Sequence, residues 1–272
     1  EACFKALMDL DLIRWARTDP SSDLAQIVIQ MVECSIGLPQ LNEMLHLRLM
    51  NFVQDVGLRA LEDLRGVEAA QEDRCRLQDS LARFLREKGQ TSRAEQLYVD
   101  LMDICSKQFG STAPLTLQCV NQLAVTYQKM GNVRQACMIH QDLLAKRRET
   151  LGENHADTLQ TMSNLAVLLT QSQEENDMAQ GRELYKMAVN GRRSIAPTNP
   201  STFYTISNYA RFLSEHGNEG DDWPHAEKLH SEAAQALQTI VGPGHPLTLM
   251  AMQGECEHRV KAAKAKLRDA VA

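Results

Sequence analysis

A fifteen-residue phrase that returns along the chain limits what it can fold into. Gly152 to Ala166 reads GENHADTLQTMSNLA, Gly110 to Ala124 reads GSTAPLTLQCVNQLA, and Gly242 to Cys256 reads GPGHPLTLMAMQGEC. Pro197 to Ala210 reads PTNPSTFYTISNYA, one residue shorter. A unit repeated at a fixed period signals a stacked array, in which each unit buries its apolar face only against its neighbours.

Registering the copies gives the period. Leu81-Ala82, Leu123-Ala124, Leu165-Ala166 and Tyr209-Ala210 fall 42, 42 and 44 residues apart. Around each pair the apolar residues keep helical spacing: Val120, Leu123, Ala124, Tyr127; Met162, Leu165, Ala166, Leu169; Ile206, Tyr209, Ala210, Leu213. The small Ala lets a neighbouring helix come close. Each first helix ends at a turn such as Lys88-Gly89, Met130-Gly131 or His216-Gly217.

A second helix follows with its own key, a small residue and then an aromatic or His four positions on. The pairs are Ala94/Tyr98, Ala136/His140, Gly181/Tyr185 and Ala226/His230. From the small residue to the closing Gly or Pro is always 16 residues, so the second helix is expected to have a fixed length. The extra residues, Glu174 to Asp177 and Gly217 to Trp223, are assigned to the turn between paired helices.

Ahead of the repeats, residues 1–66 are helical in pattern but irregular. Helices are expected over 2–17, 21–35 and 40–64, stopped by Asp19-Pro20, by Gly37 to Pro39 and by Gly66. After Gly242 one more first helix begins at Pro246. It carries Glu255 and Arg259 where the others have apolar residues, then Lys261, Lys264, Lys266 and Arg268. It is expected to have lost its outer apolar stripe and to close the array as a polar cap.

The Leu-Ala pair with a small residue 12 positions later in the second helix resembles a tetratricopeptide repeat. The period of 42 and the signature Arg147-Arg148-Glu-Thr-Leu-Gly152, His155-x-x-Thr158-Leu159, Ser163-Asn164-Leu165-Ala166 resemble the longer repeat of kinesin light chains. The resemblance covers about residues 71–256. The heptad segment that joins a kinesin light chain to its heavy chain is not seen. The implied fold is an all-α, right-handed superhelical solenoid. Its expected parts are an N-terminal helical segment (1–66), four repeats (67–245) and a C-terminal capping helix (246–272).

The resemblance also implies that the first helices line a concave surface and that the residue two before Ala faces it. Here those residues are Ser80, Gln122, Asn164 and Asn208. A carboxamide donates and accepts at once, so Gln122, Asn164 and Asn208 could hold the backbone of an extended peptide. Asn121, Lys129 and Arg211 fall on the same face. Trp223, in a polar insert beside Pro224, is either a cap on the next helix or an exposed partner anchor. The peptide- or partner-binding candidates are therefore Asn121, Gln122, Lys129, Asn164, Asn208, Arg211 and Trp223.

Chemistry finds no foothold. His155 and His245 recur because the joining loop does, and loop capping is the reading taken. His225 and His230 are five apart, not the four that would stack two imidazoles on one helical face. No nucleophile–base order, Walker loop or dinucleotide fingerprint is present, so no catalytic, cofactor or metal residue is assigned and a non-enzyme is expected. The basic clusters Lys146 to Arg148 and Arg192-Arg193 are read as complementing helix dipoles, with a small anion-binding patch as the alternative. A net charge of −6 and a period longer than that of helical RNA readers argue against nucleic acid. No apolar run is long enough to span a membrane. Seven cysteines, an odd number without CxxC, place the expectation in an intracellular, reducing compartment. That compartment is cytoplasmic by default, or an organelle where a targeting segment ahead of Glu1 has been removed.

The function expected is a non-catalytic interaction scaffold or adaptor holding a partner segment on the first-helix surface. The alternative is a constitutive structural subunit or assembly factor of a larger multiprotein complex.

Overall fold

A computed structural model describes residues 54–55, 57–62, 71–171 and 174–271. The helices expected over 2–17 and 21–35, with Cys3, Cys34 and His46, lie outside the described residues. So does most of the helix expected over 40–64, of which 57–62 is helical. Nine further helices follow: α1 (Gln71–Glu87), α2 (Thr91–Phe109), α3 (Pro114–Lys129), α4 (Val133–Leu151), α5 (Ala156–Leu169), α6 (Glu175–Ile195), α7 (Pro200–His216), α8 (Asp222–Ile240) and α9 (Pro246–Val271). No strand occurs among the described residues. The chain divides into two compact units, Glu1–Asn132 and Val133–Ala272.

In the first unit α2 packs against both α1 and α3. Gly57 lies against Leu81, where an added Cβ would come within 3.0 Å of the leucine side chain. In the second unit each helix packs against the next from α4 to α9, and α9 also reaches α7. The buried core there gathers Leu165, Ala166 and Leu169 of α5, Leu184, Tyr185 and Ala188 of α6, and Ile206, Tyr209 and Leu213 of α7. Tyr185 stacks on Tyr209 with ring centroids 5.6 Å apart and tilts against Phe212 at 5.9 Å, so α6 and α7 share one aromatic cluster. All four members of the second-helix key, Tyr98, His140, Tyr185 and His230, are buried.

The recurring joint has a physical cause in each of its residues. Gly152 adopts φ +87° and donates its N–H to Arg148 O at 3.1 Å, ending α4 in a conformation that costs a Cβ-bearing residue energy. His155 then caps α5, its Nδ1 accepting from Asp157 N at 3.2 Å. His245 does the same for Leu247 N at 3.2 Å, and Asn199 for Ser201 N at 2.9 Å. The recurring Thr ties the loop down. Thr116, Thr202 and Thr248 donate to Gly110 O, Ala196 O and Gly242 O at 2.8, 2.7 and 2.8 Å.

The inserts behave differently from each other. Helices α2, α4 and α8 each have 19 residues, but α6 has 21, because Glu175 and Asp177 join its first turn and favour the positive end of its dipole. The second-helix length is therefore not constant. The other insert folds into a turn. Asn218 Oδ1 accepts from Asp221 N at 2.7 Å, and Asp222 takes a two-pronged hydrogen bond from Arg182 at 2.8 and 3.1 Å.

Cys75, Cys105, Cys119, Cys137 and Cys256 are thiols. Cys105 and Cys119 sulfurs lie 3.9 Å apart, and that contact pushes the Cys105 thiol up to about 12. Cys256 is exposed. Brief maleimide treatment of native protein is expected to label Cys256 and leave Cys75, Cys105 and Cys119 unmodified until denaturant is added. Peptide mass spectrometry reads the difference.

Candidate functional site

The first helices present a polar face above the buried core, and it differs between the two units. In the first unit α1 and α3 supply it. Gln122 is half-buried, and its Oε1 accepts from Arg86 Nη1 at 2.8 Å, while the same Nη1 reaches Gln122 O at 3.2 Å. Arg86 is itself buried, so it braces the carboxamide instead of projecting toward a ligand. Asn121 is half-buried beside it. Lys129 donates to Glu87 Oε2 at 2.7 Å. Burial pulls the Glu87 carboxyl upward, but the Lys129 hydrogen bond and charge outweigh it and hold the group below its ordinary value. Asp79 goes the other way. Burial raises its carboxyl, Arg83 and Arg86 oppose the rise, and its Oδ1 meets no partner among the described residues.

In the second unit Asn164 of α5 is half-buried, and its Oδ1 accepts from Gln160 Nε2 at 2.8 Å. Gln160 Oε1 accepts from Arg192 Nη2 at 2.6 Å, and Arg192 Nη1 donates to Ser201 Oγ at 2.7 Å. Ser201 Oγ donates to Asn199 Oδ1 at 2.8 Å, the same oxygen that caps α7. One chain of hydrogen bonds thus runs from the helix cap of α7 through a buried arginine of α6 to the carboxamide of α5. Networks of this kind fix rotamers. Arg147 is the equivalent of Arg192 in α4, and donates to Asp157 O at 2.9 Å and Thr161 Oγ1 at 2.7 Å. Burial lowers the pKa of both guanidiniums.

Arg147 and Arg192 are therefore buried clamps between a second helix and the first helix after it. The expectation of dipole-complementing or anion-binding clusters is corrected for these two. Arg148 pairs with Glu153 and Arg193 with Glu232 at the surface. The clamp was not legible because basic residues at a helix C-terminus look alike whether they point out or under.

The remaining candidates part company. Asn208 is 4% exposed, its Oδ1 accepting from Arg211 Nη2 at 3.2 Å, and Arg211 is exposed. Ser207 and Ser214 on α7 are buried too, on the helix that α9 also packs against. Trp223 is half-buried. Its ring meets His258 edge-on at 6.0 Å and Lys261 Nζ at 5.2 Å, and its Nε1 is buried without a hydrogen-bond partner among the described residues. These contacts join the last two helices, α8 and α9. Around it lies a cluster the sequence did not flag. Ser214 Oγ contacts His230 Nε2 at 3.2 Å and His258 Nδ1 at 2.8 Å, and Lys261 Nζ donates to Ser214 O at 2.6 Å.

Among the described residues no group of three or more His, Cys, Asp or Glu is placed to hold a metal ion. No helix among them is long and apolar enough to cross a membrane.

The family model for the tetratricopeptide repeat matches residues 119–180. A kinesin-light-chain-type protein of Podosopora anserina, built of nearly identical TPR-like repeats, superposes with a TM-score of 0.57 at 22% identity. That match covers 71% of this chain and 89% of that one. BtubC (BKLC) of P. vanneervenii superposes at a TM-score of 0.63 and 17% identity, covering 87% of this chain and 89% of its own. Residues 119–180 are thus tetratricopeptide repeats, set in a chain with the fold of such proteins. Its fold class is the all-α solenoid of such hairpins, the fold it shares with the Podosopora anserina protein and BtubC. Mitochondrial tetratricopeptide repeat protein 19 of Mus musculus is 30% identical over 111 residues. The Rattus norvegicus protein of that name is 29% identical over the same length. That stretch is 41% of this chain and 29% of the mouse protein, so the chain spans less than a third of the relative's length.

Proposed function

We propose that the chain is a non-catalytic scaffold whose first-helix faces hold an extended segment of a partner protein. The carrying observation is that Gln122 and Asn164, half-buried carboxamides at the same register, are each held by a neighbouring side chain, Arg86 and Gln160. Pre-set donors and acceptors bind a peptide backbone without the entropy cost of ordering them first. Lys129 and Arg211 supply charge at the edges of these faces in their respective units. Asn208 belongs to the scaffold more than to the face.

This division is testable. Gln122→Ala with Asn164→Ala is expected to weaken capture of a partner about tenfold while costing about 1 kcal/mol or less in thermal stability. Asn208→Ala is expected to leave capture unchanged and to cost about 1–2 kcal/mol, because a buried amide and its packing are lost. Equal capture by the double variant and the wild type contradicts the role of these faces.

The second reading, a constitutive subunit or assembly factor, is favoured by one observation, the exposed Leu249, Met252, Val260 and Leu267 of α9. The other exposed apolar residues, such as Val99, Met138 and Met187, are scattered singly over second helices and need no partner. An intracellular, reducing location is proposed from the thiols, and the mitochondrial relatives make that organelle the first compartment to examine.

A further inference from the structure

The last helix does not close the array as a polar cap. Helix α9 leaves Leu249, Met252, Val260 and Leu267 at 55%, 41%, 54% and 67% exposure, with exposed Cys256 in the same row. Their spacing keeps them on one side of the helix. Its other side is occupied, with Thr248, Ala251 and His258 buried.

Register says what the bare side is. Counted from the joining glycine, Leu249, Met252 and Cys256 stand where Leu159, Met162 and Ala166 stand on α5. There the same positions are 1%, 0% and 0% exposed. The α5 face takes α6 in an antiparallel sense. A Cβ on Gly181 would lie 3.4 Å from Ala166 O, and one on Gly191 would lie 2.5 Å from Leu159 Cδ2. The start of α6 thus sits beside the end of α5. On α9 the corresponding end is basic, with Arg259, Lys261, Lys264, Lys266 and Arg268 and no carboxylate among residues 258–268. Arg259 pairs with Glu255 and Arg268 with Glu219, but no salt bridge of the described residues uses Lys264 or Lys266. A shallow depression lined by Cys256, Glu257, Val260, Lys261 and Lys264 lies on this face.

We propose that the outward face of α9 is a docking surface for an amphipathic helix of a partner protein, one whose first half is acidic and which seats antiparallel as a second helix does. The apolar row gives it area, and the lysines at its far end select sign and direction. A membrane surface fits less well, because Leu249 and Met252 lie at the end flanked by Glu255 and Glu257. A second copy offers those lysines only Glu257 and Glu255, the latter already paired with Arg259, in an antiparallel pairing, and sets like charges together in a parallel one.

The test uses a probe already shaped for such a seat. A fluorescein-labelled peptide of the Glu175–Ile195 sequence carries Glu175, Asp177 and Glu183 in its first half. A hydrocarbon staple at the exposed positions 186 and 190 removes its helix-nucleation cost. Fluorescence anisotropy with the full chain is expected to show saturable, salt-sensitive binding. Met252→Glu with Val260→Glu, and separately Lys264→Glu with Lys266→Glu, should each weaken it about tenfold or more. Both variants alter exposed residues and should melt with the wild type. Gln122→Ala with Asn164→Ala should bind the peptide normally, so this proposal and the first-helix reading fail separately. No saturable binding, or equal binding by the variants, overturns the proposal. A dimer in sedimentation that Met252→Glu with Val260→Glu dissolves would give the face to a second copy. Flotation with phosphatidylserine vesicles would give it to lipid, and either result overturns the helix.

Discussion

Lowering the pH from 7 to 4 is expected to remove about 3 kcal/mol of stability through His140 alone. His140 is fully buried, and neither ring nitrogen meets a hydrogen-bond partner among the described residues. Burial first, and the charge of Arg147 second, lower its pKa from 6.5 to about 4. The unfolded chain therefore binds this proton near pH 6.5, whereas the folded chain resists it until about pH 4. Between those values the unfolded state holds more protons, so stability is complete above the window and falls as pH drops through it. His230 adds to the loss. Burial, then His258 and Arg211, bring it down to about 4, with Glu257 opposing. His258 is lowered too, chiefly by burial. Asp79, raised by burial, acts in the opposite sense. Against a typical total of 5–15 kcal/mol these losses are large. His140→Phe puts an aromatic where Tyr98 and Tyr185 occupy the equivalent sites, and removes the titration. It is expected to match wild type near pH 7 and exceed it by about 2–3 kcal/mol at pH 4.5. Denaturant titrations at the two pH values read this, and parallel curves for both proteins would refute it.

Tyr185→Ala is expected to cost about 3–5 kcal/mol. The ring is 2% exposed and touches Tyr209 and Phe212, so its loss empties a cavity shared by α6 and α7. For a unit the size of Val133–Ala272 that is a fall of roughly 10 °C or more in Tm. Tyr185→Phe should cost far less, and Met138→Ala, at a site 64% exposed, about 0.5 kcal/mol or less. Calorimetry on the three variants separates a packed interhelical core from a loose array. Equal, small shifts would deny the former.

The array itself was legible because packing imposes its period on sequence. Leu81, Leu123, Leu165 and Tyr209 fall in register and are all buried. The joint was legible down to its caps, since His155 and His245 recur at the same offset and cap alike. The chemistry of the exposed faces was less so. Gln122, Asn164 and Asn208 share a register, yet Asn208 is buried, because one helix's spacing says nothing of how closely the next will lie. Arg192 reads as a surface charge but turns under to brace Gln160 on the preceding helix, and Arg86 braces Gln122 two helices on. Trp223 could be placed only once α9 was seen against it. The polar cap expected at α9 failed for a related reason. Glu255 and Arg259 do replace apolar residues, but they pair with each other and leave Leu249, Met252 and Val260 bare beside them.

The most direct measurement is quantitative affinity purification from the native source, with wild type and the Gln122→Ala, Asn164→Ala variant in parallel. A scaffold that holds its partner on the first-helix faces predicts a specific co-purifying protein whose recovery falls about tenfold in the variant, with Tm lowered by no more than a few degrees. A partner set recovered equally by both proteins would contradict it, and so would a wild-type chain that purifies alone.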